Sequence, residues 1–249
     1  MKYLNLYSDQ ASAVGQIVNT PNVCVIDGMD KTLFIPKSAG NSVEIIEDDD
    51  FINYAASIEF VDLGLPSGTL WMKCNIGAEK ETDYGLFFQW GDTVGYDEST
   101  AAAHLSESTC PGYGDYTTWN TANLTNNVLN TSVDAAYVRT NGKAKMPTQT
   151  QCQELANETN NEWTTIDGVA GRKFTNKSDS SKYIFIPAAG YFRGGTRGGE
   201  GTCGGVWSSS LDTSDINNAY DLHFNSKGVF RNGYGYRYGV MGVRGVKNV

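Results

Sequence analysis

Histidine is almost missing from this 249-residue chain, with His104 and His223 as the only two. Any Ser-His-Asp or Cys-His machinery must use one of them, and neither stands beside a nucleophile-elbow sequence. The two are remote in sequence and lack the i, i+4 spacing of helical metal ligands. No catalytic residue, cofactor or metal site is therefore expected. Basic residues are also short, 19 against 28 acids, for a net charge of -9 and a pI near 4.7. That deficit argues against nucleic acid as a partner, because phosphate affinity rests on clustered Lys and Arg. The five cysteines, Cys24, Cys74, Cys110, Cys152 and Cys203, contain no C-x-x-C pair. They signal neither a zinc knuckle nor a dense disulfide scaffold, and buried free thiols are expected. Long apolar runs are missing too. The opening MKYLNLYSDQASAVGQ has no unbroken apolar stretch of the kind a signal peptide or membrane anchor needs. The expectation is synthesis in the cytoplasm without a signal peptide, no membrane insertion, and an exit by lysis or by assembly into a particle. GEGTCG, at 199–204, has the letters of a dinucleotide-binding loop but is followed by GVWSSS instead of a helix.

What the chain does have is texture. Residues 1–56 read as a small β module: NVCVIDGMDKTLFIPKS has the form of a hairpin, and SVEIIEDDD is a short strand ending in an acidic run, Glu47 to Asp50, read as a solvated linker. Val23, Val25, Ile26, Leu33, Phe34 and Ile35 are its candidate docking or self-association residues. Residues 57–249 form the main domain. Two strands flank the turn Pro66-Ser67-Gly68, and the aromatic strand YGLFFQWGD follows. The Ser-, Thr- and Asn-rich residues 97–135 read as a long surface loop. MPTQTQCQELANET is the clearest helix, with Thr148 and Gln151 at capping-box spacing and Cys152, Leu155 and Ala156 on one face. EWTTID, GRKFTN and KYIFIPAAGYF form an antiparallel run. The class is α+β.

The last fifth of the chain mixes two kinds of position. In AYDLHF, Tyr220, Leu222 and Phe224 alternate with Asp221 and His223, so a strand places the first set on a packed face and the polar pair on the other, expected outward. Trp207, Ser208 and Ser209 of WSSS, with Val243 and Arg244, read as scaffold. Phe230, Arg231, Asn232, Tyr234, Tyr236, Arg237 and Tyr238 sit among glycines, a binding-loop composition in which Tyr gives rigid contact area and Gly and Asn give adaptable shape. Arg193, Thr196 and Arg197, with the outward pair Asp221 and His223, join them as candidate ligand contacts.

These segments carry a resemblance. VDLGLPSGTLWMKCNIGA, YGLFFQWGD, MPTQTQCQELANE, IFIPAAGYFRG, WSSS, AYDLHF and VRGV, in that order over residues 60 to 246, resemble a Bacteroidetes family related to the Fibrobacter major paralogous domain. The resemblance implies a C-type lectin-like fold of the formylglycine-generating-enzyme type. It also implies a C-terminal region diversified by a retroelement, in which adenine-directed errors rewrite AAY codons. Such codons can become Tyr, Gly, Asp, His, Arg, Phe or Ser, but never Trp, Met, Gln, Glu or Lys. Between Asn217 and Val240 that second set appears only as Lys227. Gly245 stands where the family's closing Val-Arg-Pro-Val has proline, and the Trp-Asn-Asp triplet of calcium lectins is absent. The N-terminal segment resembles attachment modules of Bacteroides phage and prophage structural proteins. The resemblance thus implies a non-enzymatic receptor-binding protein, carried on a virion or released, that captures a protein or glycan on a bacterial surface and meets a phage structural protein or its own copies through the N-terminal module. Two other readings stay open: a non-diversified carbohydrate-binding lectin-like protein and a formylglycine-generating-type oxidase. For the last, Cys203 is the only cysteine near the C-terminal site, where that enzyme class uses two.

Overall fold

The computed structural model describes residues 58–248, except the side chains at 103, 104 and 231, together with the backbone of five earlier strands. The chain divides into two compact units, Met1–Ser57 and Ile58–Val249. In the first, β1 (Tyr3–Tyr7) pairs antiparallel with β5 (Ser42–Ile46), and β2 (Ile17–Thr20), β3 (Val23–Ile26) and β4 (Thr32–Phe34) form a three-stranded antiparallel sheet. The β3–β4 pair is the hairpin read from the sequence. The acidic run 47–50, Ile35 and the side chains of Val23, Cys24, Val25, Ile26, Leu33 and Phe34 lie outside the described residues.

The second unit is mostly β, with four short α-helices. It starts with β6 (Phe60–Asp62) and β7 (Leu70–Met72), joined through the turn at Pro66-Ser67-Gly68, where the Gly68 N–H donates to the Leu65 carbonyl at 2.9 Å. After β8 (Phe87–Phe88) come α1 (Glu98–His104), α2 (Tyr116–Asn123), β9 (Leu124–Thr125), β10 (Val128–Leu129) and α3 (Ala135–Arg139). The expectation of a long loop over 97–135 is thus corrected. Asp97 and Asp115 cap the two helices, accepting from the Thr100 and Thr118 amides at 2.9 and 3.0 Å, while few apolar residues mark their faces, so periodicity left no trace.

Helix α4 (Gln149–Glu158) matches its reading residue by residue. The Gln151 amide donates to Thr148 Oγ1, the Thr148 amide donates back to Gln151 Oε1, and Cys152, Leu155 and Ala156 are buried. Then β11 (Thr159–Ile166), β12 (Val169–Asn176) and β13 (Tyr183–Pro187) form an antiparallel sheet. β14 (Tyr191–Arg193) pairs with β15 (Thr196–Gly198). β16 (Cys203–Leu211), β17 (Asn218–Asn225) and β18 (Gly228–Tyr236) build the large sheet, in the order β18-β17-β16-β10-β9. β19 (Met241–Gly242) runs parallel to β16 and antiparallel to β8, and β20 (Val246–Lys247) closes a small sheet with β7 and β6.

The core lies on both sides of β16 and β17. On one side Trp207 joins Phe88, Trp90, Met146 and Met241; on the other Val206, Leu222 and Phe224 join Trp71, Leu155 and Phe174. The WSSS segment is scaffold as expected: Trp207 and Ser208 are fully buried, Ser209 nearly so, Trp207 Nε1 donates to the Phe88 carbonyl at 2.9 Å, and Ser209 Oγ donates to that of Pro147. Cys74, Cys110, Cys152 and Cys203 are free thiols, and no helix among the described residues is long and apolar enough to cross a membrane. Replacing either large ring leaves a cavity between two packed layers, so Trp207→Ala and Phe224→Ala are each expected to lower stability by ~3–5 kcal/mol in urea unfolding. A loss under about 1 kcal/mol at both would contradict the two-sided core.

Candidate ligand-binding face

β18 is the edge strand of the large sheet, and its alternation decides what it offers. Gly233 and Gly235 face inward. A Cβ on Gly233 would lie 2.1 Å from Asp221 Oδ1, and one on Gly235 would lie 3.3 Å from the Trp207 ring. At Gly233 only a residue without a side chain lets the edge strand lie this close, whereas the contact at Gly235 is tight enough to admit only small side chains. Tyr234 and Tyr236, between and after them, turn outward at 63 and 43 % exposure. Near the start of the strand a bulge shifts the register between Asp221 and His223, and Phe230 pairs with His223, ring centroids 5.3 Å apart. Phe230 is 47 % exposed. Asn232 Oδ1 accepts from Gln153 of α4 at 2.9 Å.

A second strand reaches the same neighbourhood. Phe192 and Val240 exchange backbone hydrogen bonds at 3.0 Å, which brings β14 against the turn that follows β18. Arg193 then lies 4.5 Å over the Tyr236 ring and donates to the Tyr238 hydroxyl at 3.1 Å, while Tyr236 and Tyr238 stack at 5.1 Å with 15° between planes. Tyr191, on the same strand and 41 % exposed, was not among the candidates, although the alternation in YFR carries its signal. Gln153 was also missed; nothing in the α4 sequence points to Asn232.

Three candidates are placed otherwise than expected. Asp221 is buried, because β17 has β16 and β18 on its flanks and packing on both faces. Its Oδ1 has no hydrogen-bond partner among the described residues, and burial pushes its carboxyl up to about 7. Arg237 is fully buried: its guanidinium lies 4.0 Å from the Tyr116 ring, 4.6 Å from Trp90 and 4.7 Å from Trp119, and Nη1 donates to Asn120 Oδ1 at 2.8 Å. Burial lowers its pKa to about 10, and the ring faces provide cation–π compensation for lost water. Arg197 is committed inward, donating to the Ala189 carbonyl and pairing with Glu98 and Glu200 above the Tyr84 and Phe192 rings. These three hold the frame and are corrected from ligand contacts to structural residues.

Of the remaining candidates, Thr196 is exposed on β15 and His223 is half-buried, its pKa lowered by that burial. The Arg231 side chain and that of His104 lie outside the described residues. Among the expected scaffold residues, Leu222, Phe224, Val243 and Arg244 are buried, whereas Tyr220 is half-buried with its hydroxyl 3.4 Å from Asp212 Oδ1. The structure brings Arg193, Tyr236 and Tyr238 together and pairs Phe230 with His223; it gathers no group of three or more metal-ligating side chains among the described residues.

No family model, curated protein or solved structure matches this chain.

The buried Asp221 gives the face a measurable pH signature. Its folded pKa is raised, so the folded state keeps a proton that the unfolded chain loses, and stability falls as pH rises from about 4 to 7. Asp134, pushed up to about 6 by burial, acts with the same sign over the lower part of that range. Asp221→Asn is expected to raise stability at pH 8 by on the order of 2 kcal/mol and to remove the part of the decline between pH 6 and 7. Urea unfolding at four pH values checks this. Equal slopes in the two proteins would show that Asp221 is not the protonated group.

Proposed function

We propose that this chain is a non-enzymatic binding protein: a C-type lectin-like domain that presents exchangeable side chains on β18 and the neighbouring β14, preceded by an attachment module. The observation that carries the reading is the exposure of large rings on this part of the fold. Among the described residues, the exposed large hydrophobic side chains are Tyr113, Tyr191, Ile216, Phe230, Tyr234 and Tyr236, and four of the six belong to β14 and β18. Exposed aromatic groups beside an arginine, standing on a packed support, are the composition of protein-recognition hot spots. The reading has the ligand as a protein or glycan on a bacterial surface, and the chain as phage- or prophage-encoded and carried on a virion or released.

The same surface supports diversification by a retroelement. The residues turned outward on the hairpin, Phe230, Asn232, Tyr234 and Tyr236, are all reachable from AAY codons, and so are the glycines between them. Sequencing the flanking DNA tests this. The expected result is a near-repeat of the 3′ coding end whose mismatches fall at template adenines, beside a reverse transcriptase gene. A repeat mismatched at all four bases, or no repeat at all, overturns it.

A further inference from the structure

Away from the aromatic hairpin, a groove of about 620 Å³ opens between β10 and β20, with Ala144, Met146 and Ser209 among its lining. Its charge runs against that of the molecule. The chain carries 28 acids against 19 basic residues, yet the groove lining holds Lys143, Lys145 and Lys247 against a single carboxylate, Asp134. That carboxylate is buried and already accepts from the backbone amides of Tyr137 and Met146 at 2.9 and 3.0 Å. It keeps the 144–146 segment in place and is not turned to solvent. Neither Lys145 nor Lys247 forms an ion pair among the described residues. The Lys247 ammonium rests 4.2 Å over the Phe60 ring, which is not part of the groove lining, and this exposed side chain swings from there to meet a ligand in the groove.

The polar lining narrows the class of ligand. Asn248 accepts through Oδ1 from Gln151 Nε2 at 3.1 Å and Thr69 Oγ1 at 3.4 Å, which fixes the amide and leaves its NH2 to donate. Thr131 and Thr150 bring exposed hydroxyls. No aromatic ring lines the groove, so nothing there stacks a nucleobase. The amides at the start of α4 are already taken by Gln151, Ser210 and Thr148, so the attraction for anions comes from the lysines. The volume lies within the usual range for small-ligand sites. We infer that this groove binds a short acidic oligosaccharide, its carboxylate or sulfate groups against Lys143, Lys145 and Lys247 and its hydroxyls against Thr131, Thr150 and Asn248. This site is independent of the hairpin, and either assignment can fail without the other.

The test is titration calorimetry on the full chain with four probes: a galacturonate trisaccharide, a sulfated heparin-derived tetrasaccharide, neutral maltotriose and hexaglutamate. At least one acidic saccharide is expected to bind, with maltotriose at least about tenfold weaker and affinity falling as salt rises. Lys145→Gln combined with Lys247→Gln is expected to weaken that binding about tenfold or more, while Lys177→Gln, a lysine outside the groove paired with Glu158, leaves it unchanged. Both groove lysines are exposed, and an unaltered melting temperature confirms that the double variant is folded. Failure of both acidic saccharides to bind, or equal affinity in the double variant, overturns the inference. Hexaglutamate binding more tightly than either saccharide also overturns it and assigns the groove to acidic peptide.

Discussion

The fully buried guanidinium of Arg244 is the interaction on which the C-terminal half of the fold depends. Its Nε donates to Asn75 Oδ1 at 2.8 Å, Nη1 to the carbonyls of Met72 and Lys73, and Nη2 to the Phe185 carbonyl at 2.9 Å. One side chain thus joins the end of β7, the segment after it and β13, more than a hundred residues later. Charge-assisted bonds of this kind are strong where water is excluded, and removing the donor strands several buried carbonyls at once. Backbone bonds from Met72 to Gly245 and from Ile76 to Val243 run beside it. The strand that follows the hairpin is therefore anchored regardless of what β18 presents.

A second buried arginine extends the same logic to the hairpin itself. Arg237 directly follows β18 and is held by rings from residues 90, 116 and 119, so the strand leaves the exposed edge into a fixed socket. At the other edge Gly233 and Gly235 lie over Asp221 and Trp207. Between these restraints the outward positions meet other side chains at their surface: Phe230 against His223, Asn232 with Gln153, and Tyr236 stacked on Tyr238 under Arg193. In the binding role proposed above, the anchored support would matter because its rigidity limits the entropy lost on binding.

How much of this was legible in the sequence depended on how local the cause was. The α4 capping box and its apolar face are written within eleven residues, and the reading matched the helix. The two-residue alternation in AYDLHF was equally plain, but whether its polar face meets solvent depends on β18, which lies over Asp221 through two glycines. Sequence reasoning took those glycines as loop flexibility; they are close-contact positions. Arg237 looked like its neighbours Tyr236 and Tyr238 because two of the three rings that bury it, Tyr116 and Trp119, come from a Ser-, Thr- and Asn-rich stretch whose helix is set by an aspartate cap, not by apolar periodicity. The lysine groove was invisible because Lys145 and Lys247, about a hundred residues apart, are brought to one site by the Lys145–Val246 bridge.

The central claim is that one strand carries exchangeable outward positions between fixed inward ones. A library randomised separately at each residue from 230 to 238, selected for protease resistance of the folded protein, measures this directly. Tolerance is expected at Phe230, Tyr234 and Tyr236, with Gly233 and Arg237 restricted to their present residues and Gly235 to small ones. Uniform tolerance along the strand, or rejection of substitutions at Tyr234 and Tyr236, would contradict the account.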